Sequence, residues 1–277
     1  MIEYGIPIRS FSQSTLVQFG TYDEYRDFDS DLYDKAYYLG FRLGDLAASR
    51  ANKTSDLIYI SSGSSKREQI ELIERLFARY GHIVRSHQVR LSLRGLLRYE
   101  TIRITLNSTF NFLLDYVSEL PSWILNDEMM FLAFFGGFTD AEGSFHLQNT
   151  KSAAPKGRFT IKNTDLRLLE QCHAKLLTLG LRCTSITKTY DVGRQTSKRG
   201  IFATKALYAF SVENKESVLR LIEILSPFIR HEKRRADMER VRENVEWRNS
   251  KEFQDEATKK RVAAMRATIE AKKKNRN

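Results

Sequence analysis

Two acids in this sequence stand where chemistry could be done. Asp45 lies near the end of the run YLGFRLGDL at residues 38–46, and Glu142 near the end of FGGFTDAEG at residues 135–143. At a constant offset of 97 residues, Gly40 falls on Gly137, Phe41 on Phe138, Gly44 on Ala141 and Asp45 on Glu142. Each run is apolar and reads as a helix. Small residues at i and i+4 share one helix face and let two backbones approach closely. Packed together, the two helices would bring their C-terminal ends side by side and deliver Asp45 and Glu142 to one seam. Carboxylates placed there repel each other and sit at the negative ends of two helix dipoles, so the arrangement favours a cation between them. Paired hard oxygen ligands with few other protein donors suit Mg²⁺, with Mn²⁺ able to substitute, because such an ion keeps waters and accepts phosphate oxygens. Ions held in this way can activate water and stabilise the leaving oxygen in phosphodiester hydrolysis.

The elements that must position these acids repeat as well. Each motif follows a helical lead, DLYDKAYY or NDEMMFLAF, and Asn126 or Asp127 is placed to cap the second. Alternating strand patterns come next, clearest at 57–60 in the first copy and at 144–148 and 158–162 in the second. An amphipathic helix then ends on a glycine that reads as a C-cap, Gly81 in REQIELIERLFARYG and Gly180 in DLRLLEQCHAKLLTLG. Ile70, Ile73, Phe77 and Tyr80 match Leu169, Cys172, Leu176 and Leu179 at an offset of 99 residues. Two more strands follow, VRLSL with ETIRITL and TSITKTY with ALYAFSV. An apolar helix closes each copy, STFNFLLDYVSEL and ESVLRLIEILSPFI. The expected fold class is therefore α+β, a pseudo-twofold tandem of α-β-β-α-β-β-α repeats with two antiparallel sheets and the motif helices at the interface. The expected division is 1–125, 126–230 and a basic, helical extension at 231–277, in which 15 Lys and Arg face 9 Asp and Glu with no Gly or Pro. That extension reads either as a solvated helical face or as an arm lying on nucleic-acid backbone.

Composition narrows the partner. The 277 residues carry a formal charge of +11, and an apolar fraction of 42% with 17 Phe and 12 Tyr suffices for a core, so a folded domain that binds a polyanion is expected. Cys172 and Cys183 form no C-x-x-C pair, which argues against a zinc site or disulfide scaffold and for a reduced, intracellular setting. The start of the chain lacks a signal-peptide apolar region, and no run reaches the ~18 apolar residues of a membrane span. His82, His87, His146, His173 and His231 are scattered, and no nucleotide-binding or nucleophile-elbow pattern is present.

The strands carry a polar face. Arg90, Ser92 and Arg94 alternate with apolar residues, as do Thr101, Arg103 and Thr105; Ser144, His146 and Gln148; and Arg158, Thr160 and Lys162. Arg, Lys, Gln, Ser, Thr and His are the groups that read major-groove edges and phosphates. Arg90, Arg94, Arg103, His146, Gln148, Arg158, Lys162, Lys188 and Arg194 are the expected DNA contacts. Loops 149–157 and 191–200 add Lys151, Lys156, Lys198 and Arg199.

Both motifs resemble the signature of the LAGLIDADG homing endonucleases. Gly137, Asp140, Ala141, Glu142 and Gly143 fall on its positions. In the first motif Gly40 and Asp45 match, while Leu43 replaces the first acid and Leu46 the final glycine. The resemblance spans residues ~30–230 through the repeated element order and is to single-chain, two-motif members encoded in introns, archaeal ones included. It implies a monomer that straddles double-stranded DNA with a saddle of two sheets and makes a Mg²⁺-dependent double-strand break in a long site, leaving short 3′ overhangs. It implies metal ligands at Asp45 and Glu142, completed by the main-chain carbonyls of Gly44 and Ala141, and a capping or local bonding role for Asp140. It also implies a polar residue after a strand in each half, with basic neighbours. Asn163, Lys162 and Arg167 fit in the second half. Ser62 with Lys66, or Ser64, fits in the first, with Lys188 as a further candidate. Two rival functions use the same surface: a maturase acting on the host intron RNA, and a DNA-binding regulator that does not cut.

Overall fold

The computed structural model describes residues 25–92, 95–115, 118–150, 154–195 and 202–256, together with Ser14, Thr258, Lys259, Val262, Ala263 and Met265. In chain order its elements are α1 (Leu32–Asp45), β1 (Ala47–Arg50), β2 (Ile58–Ser64), α2 (Arg67–Phe77), β3 (His82–Ser92), β4 (Gly95–Leu106), a 3₁₀ turn (Ser108–Leu113), α3 (Ser122–Leu125), α4 (Glu128–Glu142), β5 (Gly143–Gln148), β6 (Lys156–Asn163), α5 (Leu166–Thr178), β7 (Thr187–Tyr190), β8 (Leu207–Val212), α6 (Lys215–Leu225) and α7 (Glu232–Asn249).

An aspartate starts each motif helix. Asp31 Oδ1 accepts the Asp34 N–H and Asp127 Oδ1 the Met130 N–H, both at 2.8 Å, which satisfies donors that a helix start otherwise leaves open. The two sheets have the same antiparallel order, β1-β2-β4-β3 and β5-β6-β8-β7. Each has one face on a core and one open face, set by period-two alternation. Ile58, Ile60, Ile102 and Ile104 are buried in the first sheet, and Phe145, Phe159, Ile161 and Phe210 in the second.

The motif helices join the cores. α1 turns Tyr37, Tyr38 and Phe41 to the first core and Ala36, Leu39 and Leu43 to the second. α4 is buried all round from Phe131 to Asp140, as expected for a helix apolar on every side. Their contact is backbone on backbone. A Cβ on Gly40 would lie 1.9 Å from the Phe134 carbonyl oxygen, and one on Gly137 2.0 Å from the Tyr37 carbonyl oxygen. One turn on, a Cβ on Gly44 would meet the Ala141 Cβ at 2.4 Å. The small-residue faces thus run together in parallel to the two acids.

Several expected details differ. The apolar run STFNFLLDYVSEL forms a 3₁₀ turn at Ser108–Leu113, because Asn107 caps it by accepting the Thr109 N–H at 3.0 Å and Phe110 and Leu113 are already buried in one turn. Gly180 adopts the left-handed φ of +79° expected of a C-cap; Gly81 does not. Its smallness serves β4 instead, since a Cβ there would lie 1.9 Å from the Thr105 carbonyl oxygen. The start of the 231–277 extension is helical, with one charged face exposed through Lys233, Arg235 and Arg240 and the other packed on the protein. In α7, Met238, Val241 and Val245 are buried against the core side of β5 and β6, with Gly157 leaving room for Val241. The charge-rich sequence hid this apolar stripe. No helix among the described residues is long and apolar enough to cross a membrane.

Candidate active site

Asp45 and Glu142 end α1 and α4 just past the point of closest approach. A Cβ on Gly44 would also lie 2.9 Å from Glu142 Cγ, so the Glu142 side chain lies directly against the end of α1. Both carboxylates are half-buried. Burial pushes Asp45 up to about 6, against the opposing influence of Arg234 and Lys66. It pushes Glu142 up to about 7, helped by the charge of Asp45 and opposed by Arg234. The neighbouring carboxylate adds to the burial, so the two acids repel across the seam. Among the described residues no ion pair neutralises either carboxylate, and no third His, Cys, Asp or Glu joins them in a metal-binding cluster. A pair of partly desolvated oxygen donors fits a hard divalent ion that draws its other ligands from main-chain carbonyls such as Gly44 and Ala141, from water or from phosphate.

Asp45 has a partner that sequence patterns do not reveal. Gln69 Nε2, in the first turn of α2, donates to Asp45 Oδ2 at 2.5 Å. At the repeat offset its counterpart is Leu168, which cannot donate, so the two half-sites are chemically unlike. A cleft of about 760 Å³ opens beside Asp45 over the first sheet, lined by Ser61, Ser62, Gly63, Ser86, Tyr99, Thr101 and Arg103. Ser62 lines the same cleft as Asp45 and pairs with Ile102 across the ladder. Lys66, exposed at the start of α2, acts electrostatically on the same carboxylate. Ser64 Oγ instead accepts the Lys66 N–H at 3.0 Å.

The second half differs from expectation. Asn163 lies on the core face of β6, and its Oδ1 accepts the Asp165 N–H at 2.8 Å. It shapes the turn into α5 and is not directed to Glu142. Arg167 is ion-paired with Glu119 on the exposed side of α5. Local turn chemistry thus engages Asn163, and an ion pair engages Arg167. Lys162, one residue earlier on β6, is exposed on the open face and pairs with Ala209 across the ladder.

Other expected DNA contacts divide likewise. Arg103 is exposed on the open face, its guanidinium 5.2 Å from the centre of the Tyr59 ring. His146 and Gln148 share the open face of β5. Burial lowers the pKa of His146. Arg158 lies on that face too but is already engaged. It bonds Thr160 at 3.2 Å, Gln148 at 3.0 Å and Ser211 at 2.9 Å, and pairs with Glu213 at 3.0 Å. Lys188 is turned away. It pairs with Tyr208, which pairs on that same face with the core-facing Asn163 position, and its ammonium meets Asp191 at 2.9 Å. Arg194 is exposed in the turn after β7, and Lys156 begins β6. Arg90 is a β3 residue paired with Leu97. Arg94, Lys151, Lys198 and Arg199 lie outside the described residues.

Asp140 has the local bonding role. It is fully buried, and its Oδ2 accepts from the Tyr37 hydroxyl at 2.6 Å, the Arg230 N–H at 2.7 Å and the His231 N–H at 3.0 Å. Burial outweighs those three bonds and raises its pKa to about 6. It ties α1, α4 and the start of α7 together.

Comparison with known proteins agrees with this architecture. Residues 135–245 match the sequence model of the family described as LAGLIDADG endonuclease. No curated protein matches the sequence. Among solved structures, the homing endonuclease I-WcaI bound to its DNA recognition sequence aligns with a TM-score of 0.54 at 14% identity, covering 84% of this chain and 95% of that one. Full-length DUF199/WhiA from Thermotoga maritima aligns with a TM-score of 0.50 at 14% identity, covering 94% of this chain and 75% of that one. By the sequence match of its second half and the paired-helix, two-sheet architecture of both halves, the chain has the tandem-repeat fold of the homing endonucleases and carries the LAGLIDADG endonuclease family match at residues 135–245.

Proposed function

We propose that this protein is a site-specific DNA endonuclease that makes a Mg²⁺-dependent double-strand break in a long recognition site, hydrolysing one phosphodiester on each strand and leaving short 3′ overhangs. The observation that carries this reading is the delivery of Asp45 and Glu142, by helices in backbone contact, to a single seam with no cation ion-paired to either among the described residues. Mg²⁺ held there would supply Lewis acidity toward a phosphodiester. The chain's own residues do the rest. Gln69 donates to Asp45 Oδ2 and so orients that carboxylate beside the cleft. Exposed Lys66 on one side and Lys162 on the other steady the phosphates that approach the two carboxylates. The open sheet faces, through Arg103, His146, Gln148 and Arg194, carry the contacts along the duplex. One chain holds both carboxylates, so the active species is a monomer, acting on DNA within the cell.

The test is cleavage of plasmid DNA carrying candidate insertion sites, with and without Mg²⁺, by the wild-type protein and by D45N/E142Q. Mg²⁺-dependent linear product at one sequence, lost in the double variant while binding persists, is the expected result. Specific DNA binding without any cut under Mg²⁺ or Mn²⁺ would replace this reading with a non-cleaving regulator. Binding to intron RNA alone would replace it with a maturase.

A further inference from the structure

On the open face of the second sheet one polar side chain is held in a single sense. Gln148 is the last residue of β5, exposed and fixed opposite Lys156 in the ladder, before Asn149 turns the chain with a left-handed φ of 57°. Arg158 lies on β6 two residues on from Lys156, diagonal to Gln148 on the same face. Its Nε donates to Thr160 Oγ1 at 3.2 Å and one terminal nitrogen to Ser211 Oγ at 2.9 Å. The other terminal nitrogen is ion-paired with Glu213 at 3.0 Å and donates to Gln148 Oε1 at 3.0 Å. Thr160 and Ser211 are themselves buried and bonded to each other at 2.9 Å, so the guanidinium rests on a packed polar floor.

A guanidinium carries only donors, so an amide that bonds to it must do so through its oxygen. The amide nitrogen of Gln148, with its two N–H groups, is then the end turned away from Arg158. A glutamine free to rotate reads adenine by donating to N7 and accepting from N6. That contact needs the amide oxygen at the base edge, and here a charge-assisted bond keeps the oxygen on the sheet. What is left to meet a base is a pair of donors. Guanine is the base whose major-groove edge offers a pair of acceptors, N7 and O6.

We propose that Arg158 is a positioning residue that sets the sense of the Gln148 amide, and that Gln148 thereby selects guanine over adenine at one position of the duplex. This rests on the DNA-binding reading of the open sheet faces. With Nε and both terminal nitrogens committed within its own sheet, Arg158 acts through its neighbour and not on the base.

The experiment is selection from a randomised double-stranded DNA library by the full chain in EDTA, followed by affinity measurements on single-base variants of the enriched duplex. Q148A identifies the position, as the one whose preference that variant loses. Wild type should favour guanine over adenine there by about tenfold. R158M frees the amide to rotate and should bring adenine level with guanine there, while preferences elsewhere in the duplex stay; a residue that only stabilises the sheet would not change the choice of one base. Q148E keeps an exposed side chain beside Arg158 but offers acceptors only, and should move the preference to cytosine, whose N4 amino group donates. Should R158M not fold, the wild-type choice between guanine and adenine decides by itself. Adenine preferred by wild type at that position, a preference that R158M leaves unmoved, or an enriched duplex with no position that depends on Gln148 would overturn the proposal while the DNA-binding reading stands. The absence of any enriched sequence would remove both.

Discussion

Replacing Glu142 by Gln should make the metal-free protein more stable, and only at high pH. In the folded protein burial and the Asp45 charge raise Glu142 from 4.5 to about 7. A carboxyl whose folded pKa is raised contributes stability that is fully present below the unfolded value and is lost as pH rises through the folded one. At pH 8 the ionised Glu142 therefore works against folding by up to about 3 kcal/mol, since each pKa unit corresponds to ~1.4 kcal/mol. Gln carries no charge, but its amide must still be desolvated and Glu142 keeps some solvent, which about halves the gain. For a chain of this size the remaining ~1.5 kcal/mol raises Tm by about 3–6 °C. The assay is calorimetric unfolding of wild type and E142Q in EDTA at pH 8 and pH 5. E142Q should be the more stable at pH 8, and the difference should shrink at pH 5, where wild-type Glu142 is protonated. Adding Mg²⁺ at pH 8 should reverse the order, because only wild type retains both ligands. An E142Q protein no more stable than wild type at pH 8, or a gain of the same size at pH 5, would refute the claim that two desolvated carboxylates repel at the seam.

Three further outcomes follow from the geometry. G137A places a methyl group 2.0 Å from the Tyr37 carbonyl oxygen, and since both partners are backbone the helices must separate; a loss of about 3 kcal/mol or more in urea unfolding is expected. Q69L removes the donor to Asp45 and nothing from the Glu142 side, so a strand-resolved assay should show cleavage slowed about tenfold on one strand with nicked intermediate accumulating; equal slowing of both strands would deny Gln69 a role specific to Asp45. R103A removes an exposed guanidinium from the open face, and the slope of log affinity for DNA against log salt should become shallower by about one.

Legibility in the sequence tracked the range of the interaction. The small residues at Gly40, Gly44, Gly137 and Ala141, the acids after them and the alternation along β2, β4, β5 and β6 are local patterns. Local patterns suffice to pair two helices and to place one face of a strand on a core. The element order of the repeat was legible for the same reason. Asn163 misled because an Asx turn two residues ahead of a helix start looks, in sequence, like a polar group offered at a strand end. Lys188 misled because its face depends on which residue it meets on β8, and an irregularity in that pairing between Lys188 and Tyr190 obscures the alternation.

By itself, then, the sequence determined the twin carboxylate-bearing helices, the two half-buried sheets and the basic balance that suits a polyanion, all of which follow from residue type and period. The tertiary structure alone decided which polar groups reach the seam. Gln69 lies 24 residues from Asp45 in the chain and carries no motif. It becomes a neighbour of that carboxylate only because α2 packs on the first sheet. It also decided that Arg158, read as a free DNA contact, is occupied by its own sheet, since hydrogen-bond saturation is a property of the folded neighbourhood and not of the residue.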